Sequence, residues 1–461
     1  MGNTRTDDAP FTNRIVDFCV DFDFRQLPEA VVSEAKRVTL DLVGSILAAS
    51  APQYRASQLI GDYVRLIGGN EECTVVGRDF MTSCVNAALA NGTMAYAADI
   101  EGGLINPRAP QHAGAVLTPV ALAMAEREKS DGKRFLAALV LGVEISARVG
   151  EACRTSRSYP HSFHTSAVFG HFGAAACAAH LLDLNRREFA NAVGLAGMNA
   201  TGLINWVTDL TEHSRPYVIG VASSNGVRSA LLAELGFGGP PAIFDDTKFN
   251  IYEAFSTEMH LDRLTKDLGE KYWIMDNLGF KPYPCCYDIF TGLDALLAIM
   301  QEQGLVGQDI EAIIHRVKED RAPTIDNNPL KSHNAQYIMA VAATRGSIMP
   351  DDILVDRRSD LQVQDMCGRV KLVGDPKLEQ KAASRPAAVE IRTNDGRRFS
   401  KSVDWPTGSP QSPMSQAELE AKFLRLATTV TTSQRAKQIM SMIEHLEDIA
   451  DVAELAVLLS G

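Results

Sequence analysis

From Pro28 onward the apolar positions Val31, Ala35, Val38, Leu42 and Ile46 recur every three to four residues, the spacing of one helical face. Proline in a first turn is compatible with that start, because its missing N–H would have no intrahelical partner there. Six stretches rich in Ala and Gly follow, at 84–98, 113–127, 133–150, 166–182, 189–203 and 219–236. Each is long enough for a helix. Small residues at helical spacing let neighbouring axes approach closely, so the pattern predicts a compact bundle with buried central helices. Cys73–Gly77 reads as a short strand-like interruption.

The pattern changes after about residue 266. Residues 273–283 alternate weakly, 287–303 and 333–345 carry helical periodicity, and 310–318, Arg369–Val373 and Ala388–Val403 read as strands. The last is broken by Asn394-Asp395-Gly396, a hairpin turn signal. This is an α+β module. Ser415-Gln-Ala-Glu418 then has the form of a capping box, and helical periodicity returns to the end. The expected division is 1–265, an all-helical domain; 266–408, the α+β domain; and 409–461, helices packing back on the first. Residues 406–413, rich in Pro and Ser, are expected to be a linker. No internal repeat is present.

Composition narrows the function. The 461 residues carry a net charge of −12, which argues against nucleic acid and anionic membrane as partners. An anionic substrate would need a local cationic pocket. Neither a secretory pattern nor an apolar run of bilayer length is found, so a cytoplasmic, non-membrane protein is expected. The eight cysteines form no CxxC pair, which fits reduced thiols rather than a metal or cluster site. There is also no phosphate-loop, nucleophile-elbow or HExxH motif, and Gly236-Phe-Gly-Gly239 follows a helix, the wrong context for a dinucleotide fingerprint.

Four places could carry chemistry. Asp99-Ile-Glu101, with His112 beyond it, combines paired acids with a histidine, suited to acid–base work or to a solvated helix end. Tyr159-Pro160-His161-Ser162-Phe163-His164-Thr165 opens an apolar helix, whose N-terminus favours a carboxylate or merely needs capping. His213-Ser214-Arg215 offers a carboxylate fork or an exposed cation. In Lys281-Pro282-Tyr283-Pro284-Cys285-Cys286 two prolines stiffen the backbone around one lysine. Its thiols are either nucleophiles or buried structural groups.

Taken in order, the chain resembles the MmgE/PrpD family (2-methylcitrate dehydratase, cis-aconitate decarboxylase and iminodisuccinate epimerase superfamily). The resemblance rests on Ala98-Asp99-Ile-Glu101, His112-Ala-Gly-Ala-Val116 with Pro119, and Phe163-His164-Thr-Ser-Ala-Val-Phe-Gly170 with Gly173-Ala-Ala-Ala176. It continues through Ala192-Val-Gly-Leu-Ala-Gly197, Leu231-Leu-Ala-Glu-Leu-Gly-Phe237, Lys281-Pro-Tyr-Pro-Cys-Cys286 and Ala335-Gln-Tyr337. It implies a mainly α fold: a large all-helical bundle formed by both chain ends, plus a smaller α+β lid. It also implies a homodimer without metal or organic cofactor. By the same resemblance Asp99, His112, His164, Lys281 and Tyr337 line the active site, with His164 and Lys281 foremost in carboxylate binding and proton handling. Arg215, Glu101 and His161 are the companion substrate-binding candidates.

Several departures point away from the decarboxylase branch. Gly103 replaces a hydroxyl residue, the 102–111 loop is longer, and alanine rather than proline follows His112; Arg215 stands where many relatives carry lysine. The expected activity is a lyase of the dehydratase or hydratase type, abstracting a proton beside a carboxylate of a small polycarboxylic acid. Epimerisation, decarboxylation and carboxylate binding without turnover are the alternatives.

Overall fold

The computed structural model describes residues 10–104, 110–153, 162–245, 248–256, 258–354, 359–381, 383 and 385–461. The fold is mainly α. Two compact units divide the chain: Met1–Ala97 with Glu101–Leu278 and Ser415–Gly461, and Ala98–Ile100 with Gly279–Met414.

Among the described residues of the helical unit the longer helices up to residue 234 run in order: α1 Phe11–Val20, α2 Glu29–Ala49, α3 Arg55–Ile67, α4 Cys84–Ala97, α5 Ala113–Arg127, α6 Gly132–Ala152, α7 Thr165–Leu181, α8 Arg186–Asn199 and α9 Ser214–Glu234. The short helices Ile251–Phe255 and Trp273–Asp276 and the helices Gln416–Ala427, Ser433–Glu444 and Ala453–Leu459 also belong to it, and Gln416–Ala427 packs on α2. The small residues do what their spacing predicts. A Cβ on Gly220 of α9 would lie 2.3 Å from Thr93 Oγ1 and 2.4 Å from the Leu89 carbonyl oxygen of α4, and one on Gly226 would lie 2.2 Å from Ala174 Cβ of α7. These contacts leave no room for a side chain, so the backbones sit at the short end of helix separation.

Two helix starts differ from the sequence reading. α8 begins at Arg186, because the Asn185 carboxamide accepts the Arg187 and Glu188 N–H groups in a capping box. α9 begins at Ser214, because the Asp209 carboxylate accepts the His213 and Ser214 N–H groups and the Ser214 hydroxyl. Arg215 is therefore in a first helical turn rather than in a loop.

The second unit is a four-stranded sheet with helices. Strand order is Val370–Gly374, Ile310–Val317, Ala387–Thr393, Arg398–Val403, the first pair parallel and the others antiparallel. The Asn394–Gly396 turn closes the last hairpin, with Gly396 at φ 85°. Ile313, Val389 and Ile391 of the sheet meet Phe290, Leu293 and Leu296 of the Phe290–Gln303 helix and Ile338 and Val341 of Ala335–Arg345 in one core. Residues 273–283 hold a helical turn, Trp273–Asp276, and the two-residue strand Leu278–Gly279 rather than a longer strand. Nor is 406–413 a loose linker. The Gly408 carbonyl accepts from Phe280 N–H at 2.8 Å, and the Asp294 carboxylate accepts from Thr407 N–H at 2.7 Å.

Among the described residues His164, His171 and His315 are buried and His180 is half-buried, and their surroundings favour the neutral ring in each. Desolvation pushes His164 down to about 3 and His171, His180 and His315 down to about 4, from an ordinary 6.5. Unfolded, each binds a proton below pH 6.5 that the folded chain refuses, so stability is present above 6.5 and lost as pH falls toward 4. Each histidine contributes a slope of up to about 1.4 kcal/mol per pH unit in that window. Urea midpoints measured at pH 7 and pH 5 should differ markedly. Equal midpoints would mean that these rings are protonated in the folded protein.

Candidate active site

The helical unit brings three of the sequence candidates around one tyrosine that the sequence did not flag. His112 is the N-cap residue of α5 and His164 that of α7, while Arg215 is the second residue of α9. The Tyr96 ring, near the end of α4, lies 4.7 Å from the His112 ring, 5.9 Å from His164 and 4.8 Å from the Arg215 guanidinium carbon. Trp206 closes the group, 5.8 Å from His164 and 5.9 Å from Arg215. Three long helices therefore point N-termini, each with partial positive charge, at a place that also holds a guanidinium. A carboxylate is the complementary ligand. Arg215 is only 3% exposed, and the aromatic faces beside it stabilise a cation that burial would otherwise disfavour.

His112 Nδ1 lies 3.0 Å from the buried Glu101 Oε1, and the His112 backbone N–H donates to Ser166 Oγ at 2.8 Å. With the carboxylate on Nδ1, Nε2 is the atom that exchanges a proton with a substrate. The preceding residue is held as firmly. Gln111 Nε2 donates to the Ser146 carbonyl at 3.1 Å, and the Leu104 and Gln111 backbones exchange two hydrogen bonds. A Cβ on Gly103 would lie 2.8 Å from the Gln111 carbonyl oxygen and 3.4 Å from His112 Nδ1, so a side chain here would press on this frame. His164 is neutral because burial outweighs other effects, with His112 and Arg215 adding to the downward push. Burial thus favours an uncharged, hydrogen-bonding ring over a cation.

The α+β unit holds a second pair. Lys281 Nζ donates to Asp99 Oδ1 at 2.5 Å and to the Asp99 carbonyl at 3.2 Å, both residues buried. Asp99 has φ 53°, a left-handed conformation that aspartate tolerates at a cost of about 1 kcal/mol. The proline-flanked segment is anchored by Phe280 on Gly408, Tyr283 Oη on Asp294 at 2.8 Å and Cys286 N–H on the Ser332 carbonyl at 2.8 Å. Tyr337 sits in the core of this unit, and its hydroxyl donates to the Asp352 carbonyl. His161 lies outside the described residues. Asp99 and Glu101, two residues apart in the chain, thus each face a basic group.

Comparison with known proteins gives two family models, the second of which runs past the α+β unit into the helices after Ser415. Residues 13–263 match the MmgE/PrpD N-terminal domain and 283–448 the MmgE/PrpD C-terminal domain. The chain belongs to the MmgE/PrpD family. It is an enzyme of that family type. Mouse cis-aconitate decarboxylase is 25% identical over 449 residues, covering 94% of this chain and 90% of the relative. A cis-aconitate decarboxylase-like protein of Aspergillus oryzae is 26% identical over 500 residues, covering 99% of each. The 2-methylcitrate dehydratase of Salmonella typhimurium is 27% identical over 254 residues, covering 51% of this chain and 52% of that one.

In this MmgE/PrpD chain, sequence reasoning missed Tyr96, Trp206 and Gln111. Only the aromatic character of the first two was a signal, and aromatic residues in helices are commonly core. Among the described residues no helix is long and apolar enough to cross a membrane.

The eight cysteines are all free thiols. Burial pushes the Cys285 thiol well up and Cys286 up to about 12. A thiolate nucleophile is disfavoured in such surroundings. Iodoacetamide at pH 8 should therefore label neither residue of the native enzyme rapidly, and both after unfolding, as read by peptide mapping. Fast native labelling would restore the nucleophile reading.

Proposed function

We propose that the protein is a lyase adding or removing water on a small di- or tricarboxylic acid, through proton transfer at a carbon next to a carboxylate. The observation that carries this reading is the meeting of His112, His164 and Arg215, at three helix N-termini, around Tyr96. A proton α to a carboxylate is a very weak acid, so the enolate-like charge that develops must be stabilised where it forms. Arg215 and the helix ends supply that field, against a chain whose overall charge of −12 repels the substrate. His112, oriented by Glu101, is assigned the proton transfer, and neutral His164 a hydrogen bond to the substrate. For Lys281, held by Asp99 within the α+β unit, a role in proton handling is proposed on the family resemblance alone. Tyr337 is assigned no proton, because its hydroxyl already serves the Asp352 carbonyl in the core. On the family resemblance the reaction is proposed to need no metal or organic cofactor and the enzyme to be a homodimer; a cytoplasmic location is proposed on the sequence pattern.

Decarboxylation is the second reading. One observation favours it: the mouse relative bearing that name matches over 94% of this chain, whereas the dehydratase matches over 51%. Epimerisation would use the same proton abstraction with return to the opposite face.

Proton NMR in heavy water with citrate, 2-methylcitrate, cis-aconitate, malate, aspartate-derived and tartrate-like acids, together with detection of released carbon dioxide, separates the three. Deuterium beside a carboxylate with a new alkene or alcohol is expected. Carbon dioxide from cis-aconitate would establish the second reading, and exchange with inversion alone would establish epimerisation. His112→Gln should lower kcat about 10²- to 10⁴-fold, and Arg215→Met should raise KM as well as lower kcat. Native kinetics in both variants would remove the proposed site.

A further inference from the structure

A buried ion pair in the helical unit stands behind the candidate base. Asp41 of α2 and Lys422 of the Gln416–Ala427 helix are 381 residues apart, yet they pair at 1% and 2% exposure. The other carboxylate oxygen, Asp41 Oδ2, accepts the Gly102 N–H at 2.7 Å. Gly102 directly follows Glu101, whose carboxylate lies 3.0 Å from His112 Nδ1. Burial pushes the Asp41 carboxyl up, Lys422 and the Gly102 N–H pull it back, and Glu101 adds to the upward push.

Such a pair is a poor device for stability alone. Removing two charges from water costs as much as their attraction returns, and paired apolar residues of similar size commonly serve a core as well or better. The chemistry it performs is directional: a carboxylate held by an ammonium fixes one backbone N–H, and with it the peptide carrying Glu101.

We infer that Asp41, held by Lys422, is a positioning residue that sets Glu101 against His112; the inference rests on the proton-transfer role proposed above. Two double variants test it. Asp41→Leu with Lys422→Met removes the acceptor for Gly102 together with both charges of the pair. Asp41→Asn with Lys422→Met also removes both charges but keeps a carbonyl oxygen for the same N–H.

In the first variant kcat is expected to fall on the order of tenfold or more, with KM nearly unchanged, and the His112 titration to move by about half a pH unit or more. That titration is followed in histidine-labelled protein by NMR, with His112 assigned by subtraction of the His112→Gln spectrum. The second variant is expected to stay near the parent in both. A folded Leu/Met variant with native kcat and native His112 titration would overturn the inference, leaving the pair as a staple between two helices. If that variant does not fold, the Asn/Met chain decides: native behaviour supports the inference, and altered titration in a folded chain overturns it. The titration reads positioning without turnover, so an enzyme inactive on every acid tested would refute the proposed reaction and leave this test intact.

Discussion

Everything at the candidate site depends on how closely α4 and α9 approach. Gly220 faces Thr93 and the Leu89 carbonyl with no space for a Cβ, and Gly92 faces Ser223 in the same way. Three residues beyond Thr93 stands Tyr96, and five before Gly220 stands Arg215. The ring-to-guanidinium distance is thus fixed within two turns of a backbone contact that tolerates no added atom. Widening the pair by one methyl would move the cation off its aromatic faces, and the cost would combine lost contact with a buried charge less well compensated. α7 enters the arrangement through Gly226 and Ala174, which brings His164 to the same ring.

Much of this architecture was legible because it is written in local pattern. Alanine and glycine runs marked the central helices to within a few residues, Ser415 and Glu418 form the capping box their spacing predicts, and Asn394–Gly396 turns a hairpin. Helix starts were less visible. Asp209 caps α9 through a side chain four and five residues away, and this moved Arg215 from a loop to the mouth of a helix. The family resemblance drew attention to His112, His164 and Lys281, but periodicity alone could not have distinguished them from capping or core residues.

What the sequence did not disclose is contact between distant positions. Tyr96 reads as one more apolar residue on a buried helix. Asp41 and Lys422 each read as an ordinary charged residue on a helix, since nothing local marks a partner 381 residues away. Tyr337 is the reverse case: its motif was visible, whereas the contact of its hydroxyl with the Asp352 carbonyl in the core was not. Burial also shapes the reading of titratable groups. His164 was read as a residue for carboxylate binding and proton handling, and burial favours its neutral form, in which the ring can accept a proton or a hydrogen bond.

The Asp41–Lys422 pair has a consequence for biosynthesis. Ribosomes deliver Asp41 at a point 381 residues before Lys422, so a nascent chain carries that carboxylate through this whole interval without the ammonium that lets it be buried. Until the late helix emerges, that face of α2 is held open by the hydration of one carboxylate. Premature closure around an incomplete bundle is disfavoured, and a product truncated before residue 422 would expose the defect to proteolytic surveillance.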